Sequence, residues 1–327
     1  MKALIHNQSM GTLKLDESAP LPTTNNGEHL IKVDAAAITT GELLWPRPAE
    51  LNESVPGVEA AGTVVTALST SQFKPGDQVY FRTQYPRAGS AREYSIGLES
   101  EMAIRPSNVS AEEAAAVPVS ALTAWQALLT KIDLNSLLDG QNGSQPNRRL
   151  RVFINGASGG VGLFLTQLAH LAGCQVVGTS TNEKLVREMG ADEVINYKST
   201  SITEWRKSHD ARFDLILDLV GGHSLDEAWH LADEHGTVLT FVPPADMQWK
   251  FDLDRPAGIS ETVSGKFFLM QTNGKHLQQI TRLIEDGRLR PTVDSVHRMD
   301  DYRQAFDRAF SGRAVGKVVL QVRAGVS

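Results

Sequence analysis

One short segment constrains this chain more than any other: Asn155-Gly156-Ala157-Ser158-Gly159-Gly160-Val161-Gly162, set between an apolar run at 150–155 and a second apolar run at 161–172 that Gly173 closes. A glycine pattern alone says little. Between a buried strand and an apolar helix it has the context of a phosphate-binding turn, here as AxGxxG with Ala157 in place of the first glycine. Gly159 lets the backbone approach a pyrophosphate, Gly162 lets the helix close on the strand, and the helix N-terminus offers unpaired N–H groups. Ala157, Ser158, Gly159, Gly160, Val161 and Gly162 are therefore read as a dinucleotide cradle. The segment also satisfies GxSxG, the nucleophile elbow of hydrolases. An elbow gives no reason for Gly162, nor for the hydroxyl-rich strand that follows. A short-chain dehydrogenase would carry Tyr-x-x-x-Lys, and no tyrosine here has a lysine four residues on.

Strand and helix alternate after the cradle. Strands are expected at 175–179, 193–197, 213–220 and 237–242, with helical stretches between, including one at 182–189 that Gly190 stops. This is the rhythm of a doubly wound parallel sheet. An NAD site places an acid about 20 residues past the fingerprint. Here the second strand ends Gly178-Thr179-Ser180-Thr181-Asn182, without one. Thr179, Ser180, Lys184 and Tyr197 become candidates for a 2′-phosphate, so the expected cofactor is NADPH. The competing reading has 179–182 capping the next helix and Lys184 solvated. Leu219 and Val220, at a strand's carboxyl end, should line the nucleotide site.

The rest of the chain has another texture. Short runs at 3–5, 29–33, 61–68 and 78–81, separated by turns such as Lys74-Pro75-Gly76-Asp77, read as β-rich. Toward the other end, strands are expected at 266–270 and 317–322 and helices at 275–285 and 302–310. Residues 139–149 are polar and read as an exposed loop. A length of 327 residues favours two domains, and no basic block suggests nucleic acid. No apolar run approaches the roughly 20 residues of a membrane helix. The first residues lack a signal peptide's apolar core, and the single cysteine, Cys174, excludes an internal disulfide. A reducing cytoplasmic home is expected.

Further motifs carry a family resemblance. Gly57-Val58-Glu59-Ala60-Ala61-Gly62-Thr63-Val64, Lys74-Pro75-Gly76-Asp77-Gln78-Val79, Ala116-Val117-Pro118 with Leu122-Thr123-Ala124-Trp125, and Gly190-Ala191-Asp192 with Val194-Ile195-Asn196-Tyr197 follow in order, as do Asp218 with Gly221-Gly222 and Gly316-Lys317-Val318-Val319-Leu320. Together they resemble the medium-chain dehydrogenase/reductase superfamily, in its quinone-oxidoreductase and enoyl-reductase branch. The resemblance implies an α/β fold: a Rossmann doubly wound parallel sheet (123–266) inserted into a GroES-like β-rich catalytic domain (1–122 and 267–327). It allows a homodimer. By the same resemblance Thr39, Thr40 and Thr123 lie near the nicotinamide, and Phe241, Val242 and Phe267 offer backbone groups or walls. Trp45, Tyr80 and Tyr85 are candidates to wall a flat substrate or to donate hydrogen bonds, with ordinary packing the favoured reading of each taken singly.

Zinc-dependent relatives read Gly-His-Glu where this chain has Gly57-Val58-Glu59, with a cysteine near the place of Thr39. A catalytic zinc needs three protein ligands and an open position, and the sequence shows no such set. Zinc assists alcohol oxidation by lowering an oxygen's pKa. Without it, hydride addition to an enone or a quinone is favoured, because the new charge is delocalised and hydrogen-bond donors can stabilise it. The expected reaction is therefore zinc-independent reduction of a small, apolar, conjugated acceptor by NADPH. Reduction of a ketone or aldehyde, and an inactive nucleotide-binding regulator, are the alternatives. Cofactor turnover with enones or quinones separates an enzyme from a regulator, and the product's oxidation site separates carbonyl reduction from the rest.

Overall fold

The computed structural model describes residues 1–139, 149–209, 212–243 and 251–323; most of the expected polar loop, 140–148, lies outside the described residues. The chain divides into two compact units, Met1–Leu122 with Thr272–Ser327, and Thr123–Gln271. The first unit begins with β1 (Ala3–Asn7), β2 (Thr12–Asp16), β3 (Glu28–Ala37), β4 (Glu53–Ser54), β5 (Glu59–Thr66), β6 (Gln78–Arg82), β7 (Tyr94–Leu98) and β8 (Met102–Ile104). The second contains β9 (Arg151–Asn155), β10 (Gln175–Thr179), β11 (Glu193–Ile195), β12 (Phe213–Asp218), β13 (Ala232–Thr240) and β14 (Ser264–Phe267). The chain then returns to the first unit with β15 (Val293–Arg298) and β16 (Lys317–Gln321).

In the first unit β16 lies antiparallel to β3, pairing Val319 with Ala37, and β3 in turn pairs with β5 and β7. Alternation along β3 turns Ile31 and Val33 inward, where they pack with Val64, Val79 and Phe81. A separate cluster joins Leu4 and Ile38 to Phe306, Val318 and Leu320, so the two chain ends share one core. β15, parallel to β16, is not evident in the sequence: Val293-Asp-Ser-Val-His-Arg is polar and none of it is fully buried.

The second unit is a sheet in the order β11-β10-β9-β12-β13-β14, with every neighbouring pair parallel. This is the doubly wound arrangement, and its order reverses between β9 and β12. The last strand corrects one expectation. The run read as a tail strand at 266–270 is β14 at Ser264–Phe267, and Phe267 pairs with Thr240 in the parallel sheet. The unit boundary accordingly falls after Gln271 rather than at 267.

Near the C-terminal end, Asp294 accepts hydrogen bonds from Arg308 Nε at 2.8 Å, Arg308 Nη2 at 2.6 Å and the Val315 N–H at 2.8 Å. The Arg308 bonds, first among these, hold the Asp294 pKa below its ordinary 3.8, against the effect of burial. A depressed carboxyl pKa adds stability that is present above the unfolded value and lost as pH falls through the folded one. Asp294→Asn should therefore lower the urea midpoint at pH 7, and its deficit relative to the parent should shrink as pH falls below about 4. A deficit as large at pH 3 as at pH 7 would overturn this account.

Candidate active site

β9 ends at Asn155, and the chain turns into the helix Gly160–Leu171. Gly159 is that helix's N-cap and no side chain caps it. The cradle's glycines have different causes. A Cβ on Gly162 would stand 2.3 Å from the Gly156 carbonyl oxygen, so the close packing of helix on turn requires glycine there. Gly159 has φ −74°, and a Cβ on it would meet nothing nearer than Gly156 O at 3.6 Å. Neither backbone conformation nor internal packing demands glycine at 159, which leaves the space a ligand's phosphates would use. Ala157 is fully buried, and a Cβ on Gly178 would lie 2.7 Å from its methyl group. The second strand thus provides the room that the fingerprint's first glycine usually provides. A dinucleotide fits this cradle.

Behind the cradle lies a buried polar network. Asn155 Nδ2 donates to Asp218 Oδ1 and to Ser224 Oγ, each at 2.8 Å. Thr179 Oγ1 donates to Asn155 Oδ1 and accepts from the Gly156 N–H, both at 2.8 Å. Asp218 also accepts from Thr240 Oγ1 at 2.7 Å and from the Gly221 N–H at 3.0 Å. Apart from Ser224, on the helix Gly222–Trp229, each partner sits at or just beyond the carboxyl end of a strand, the edge at which such sheets bind ligands.

This network corrects part of the 2′-phosphate assignment. Thr179 is buried, with its hydroxyl committed to Asn155 and Gly156. Ser180 is fully buried, and its hydroxyl accepts from the Asn182 N–H at 2.9 Å. The Thr179 proton is spent on Asn155, and burial closes the Ser180 hydroxyl off from the surface. Lys184 and Tyr197 remain: the lysine side chain is 89% exposed with Glu188 at 3.9 Å, and Tyr197 is exposed. Leu219 is half-buried and Val220 exposed just past β12. The N–H groups of Phe241 and Val242 are engaged by Asp218 O at 2.9 Å and Thr240 Oγ1 at 3.2 Å, so they cannot serve a ligand. Phe267 is buried within β14, whereas the Phe241 ring is half-buried and meets Phe268 edge-on at 5.6 Å. Thr123 is buried on the helix Pro118–Leu128.

The first unit holds a second cluster, around Thr39. Its hydroxyl donates to Glu59 Oε1 at 3.2 Å and accepts from Lys317 Nζ at 3.2 Å. Lys317 and Glu59 form an ion pair at 2.7 Å, with the carboxylate fully buried and the ammonium nearly so. The other carboxylate oxygen accepts from the Val119 N–H at 2.7 Å. Glu42, also buried, accepts from the N–H groups of Gly57, Val58 and Thr39 at 2.9, 3.3 and 3.2 Å. Burial pushes its carboxyl up to about 7, although these hydrogen bonds and Lys317 oppose the shift. Thr39 is half-buried, Thr40 exposed and Val58 fully buried.

Tyr80 and Tyr85 follow the packing reading rather than the substrate one, with their hydroxyls bonded to the backbone. Tyr80 is fully buried, and its hydroxyl donates to Leu277 O at 2.7 Å with Thr281 Oγ1 at 3.0 Å; burial raises its pKa strongly. It braces the helix Gly274–Glu285 and has no hydrogen bond to spare for a substrate. Tyr85 donates to Pro46 O and lies 3.3 Å from Trp45 O, so its proton too is spent on the backbone. Its ring packs edge-on against Trp45 at 5.4 Å beneath the Arg47 guanidinium at 4.8 Å. Trp45 is half-buried.

The comparisons agree with this architecture. Residues 25–124 match the family model described as alcohol dehydrogenase GroES-like domain, and residues 189–320 that described as zinc-binding dehydrogenase. A probable zinc-binding oxidoreductase, mitochondrial, of Arthroderma benhamiae is 42% identical over 310 residues, 93% of this chain and 91% of that protein. The chain belongs to the medium-chain dehydrogenase/reductase superfamily. Within it, the chain falls in the quinone-oxidoreductase-like branch and is an oxidoreductase: a chloroplastic quinone-oxidoreductase of Triphysaria versicolor is 30% identical over 314 residues, 92% of each chain. The quinone oxidoreductase of Thermus thermophilus, solved also in complex with NADPH, superposes with a TM-score of 0.73 at 23% identity, covering 98% of this chain and 100% of that one.

Five residues absent from the sequence-based site are central to these clusters: Asn155 and Asp218 behind the cradle, Glu42, Glu59 and Lys317 around Thr39. Asn155, Glu59, Asp218 and Lys317 stand in the motifs quoted above, which was the available signal; Glu42 had none. The two cradle glycines give a direct test. Gly162→Ala should destabilise the fold by about 1–3 kcal/mol or more, as overpacking does. Gly159→Ala should unfold like the parent yet bind dinucleotide at least about tenfold more weakly, a loss of about 1.4 kcal/mol. Equal dinucleotide affinity in Gly159→Ala and the parent, by calorimetry, would remove the phosphate role.

Proposed function

We propose that this oxidoreductase works without zinc, takes NADPH, and passes hydride to the β-carbon of an α,β-unsaturated carbonyl or to a quinone. The observation that carries this reading is the Thr39 cluster. Where zinc-dependent relatives have Cys and His, this chain has a hydroxyl held by a buried ion pair and an apolar, fully buried Val58. Among the described residues no group of three or more His, Cys, Asp or Glu could hold a metal ion. The name of the Arthroderma relative speaks of zinc, and that of the Triphysaria relative of quinone.

NADPH, when bound, supplies the hydride; Gly159, Gly160, Val161 and Gly162 would hold its diphosphate, and Lys184 and Tyr197 its 2′-phosphate. Thr39 answers the charge that develops on the acceptor's oxygen. Glu59 already takes Lys317 on one oxygen and the Val119 N–H on the other, each at 2.7 Å. The Thr39 bond to it, at 3.2 Å, is the longest of the three and the one a substrate oxygen would replace. Lys317, donating to the same hydroxyl, polarises it and makes it a stronger donor. Trp45 offers a flat apolar face to a conjugated substrate. The proposal includes a reducing, cytoplasmic setting and allows a homodimer.

The reaction is tested with NADPH carrying deuterium at C4 and a panel of enones, quinones, ketones and alcohols. Label on an enone β-carbon, or rapid quinone consumption, is the expected result. Label only on a carbinol carbon would make the enzyme a ketone or aldehyde reductase, and no transfer to any class would favour a binding role. Activity should persist in chelator; one tightly bound zinc per chain, with activity lost on its removal, would overturn the metal-free mechanism. Thr39→Val should lower kcat by about 10²–10³ with coenzyme affinity kept. NADPH should bind at least about tenfold more tightly than NADH, and Lys184→Ala should weaken NADPH selectively. Equal affinities in the parent would refute the coenzyme preference.

A further inference from the structure

The segment that leaves β6 carries Arg82, Arg87 and Arg92, with one carboxylate, Glu101, among them. That carboxylate is already engaged: it accepts from Arg87 Nη2 and from the N–H groups of Gln84 and Leu98 at 3.0 and 3.3 Å. Arg82 and Arg92 are only 6% and 9% exposed. Their hydrogen bonds go to neutral groups, Arg82 Nη1 to Thr272 Oγ1 at 2.6 Å and Gln84 Oε1 at 3.2 Å, and Arg92 Nη2 to Ser95 Oγ at 3.4 Å. Five further polar atoms here are buried without a partner among the described residues: Arg82 Nε, Arg87 Nε and Nη1, Arg92 Nε and Thr83 Oγ1.

Burial lowers the pKa of both Arg82 and Arg92, the latter to about 10; the charge of Arg87 adds to both shifts, while Glu101 and then Glu59 oppose that of Arg82. A guanidinium nonetheless stays charged at neutral pH. Three such cations against one carboxylate leave two positive charges in a mostly buried segment, together with unused N–H donors. Buried charge without a counter-charge is costly, and so is a buried donor without an acceptor. Glu59 does not supply the balance, because Lys317 already pairs with it at 2.7 Å.

We propose that the Arg82–Thr83–Arg87–Arg92 segment is an anion site for a phosphoryl group, either free phosphate or a phosphate carried on a larger ligand. A phosphate monoester brings about −1.5 to −2 charges, close to the excess charge, and three strong acceptor oxygens that can each take more than one of the open donors. A carboxylate brings half that charge, and a halide cannot use the forked guanidinium geometry. The site adjoins the Thr39 cluster within the same unit: the Thr83 N–H bonds Val58 O at 2.7 Å, and Arg82 pairs with Glu59 across β5 and β6. It does not depend on the proposed reaction.

The test uses the full chain with its dinucleotide site saturated by NADPH, and again without NADPH. Inorganic phosphate and phenyl phosphate are titrated by calorimetry, with sodium chloride at matched ionic strength as control. At least one phosphoryl probe should bind saturably and raise the thermal midpoint, while chloride does neither. Tighter binding of the ester assigns the phosphate to a larger ligand; tighter binding of the ion assigns it to free phosphate. Arg87→Gln and Arg92→Gln should each weaken binding at least tenfold. Should either variant fail to fold, protection of Arg87 from phenylglyoxal by phosphate, mapped by mass spectrometry on the parent protein, reads the same site. No saturable binding of either probe, binding unchanged in a folded Arg87→Gln, or Arg87 modified equally with and without phosphate overturns the proposal.

Discussion

The Asp218 carboxylate is the tie on which the working edge of the parallel sheet depends. It is fully buried, and so requires hydrogen bonds from every side. It draws them from Asn155 at the end of β9, Thr240 at the end of β13 and the turn after β12. Asn155 then holds Thr179 of β10, and Thr179 holds the Gly156 N–H. One chain of bonds therefore runs across four strands into the phosphate-binding turn. The sheet fixes the cradle's shape before any ligand arrives, which is the condition for tight and oriented binding.

The Glu59–Lys317 pair has a comparable place in the other unit, with different energetics. A buried ion pair is weak evidence for stability, because desolvation offsets most of the attraction. Its geometry is more informative than its strength. Lys317 lies on β16 and Glu59 on β5, strands on either side of β3, so the pair fixes two distant chain segments beside the loop that carries Thr39. Glu42 secures that loop from within, through the Thr39 N–H, and secures Gly57 and Val58 with its other oxygen. The Val119 N–H holds the Glu59 carboxylate and Glu42 holds the Thr39 N–H, so both the residue that carries the hydroxyl and the carboxylate it faces are fixed to backbone.

Much of this was legible in the sequence, for identifiable reasons. Strand–turn–helix texture and the spacing of Gly159 and Gly162 expose the nucleotide unit, because backbone proximity leaves a mark that only glycine can make. The sequence leaves both readings of Tyr80 and Tyr85 open because aromatic residues serve packing and chemistry with the same letters: only contacts show that Tyr80 is bound to Leu277 and Tyr85 to Pro46. Thr179 and Ser180 failed for a related reason. A hydroxyl at a strand end can face a ligand or satisfy its own backbone, and here both do the latter. β15 was invisible because an edge strand with no fully buried residue lacks apolar alternation.

The loss of those two hydroxyls changes how coenzyme selectivity must work under the proposed function. With Thr179 and Ser180 buried, the candidates left to meet a 2′-phosphate are Lys184 and Tyr197, both exposed. An exposed lysine on a flexible stem is a screened point charge whose effect falls as salt rises. The diphosphate cradle differs: its donors are backbone N–H groups held by the sheet, with no side-chain entropy to lose. Affinity for a dinucleotide and choice between dinucleotides are therefore separate properties of this unit. The first is built into the sheet through Asp218, whereas the second rests on side chains that can change without disturbing the fold.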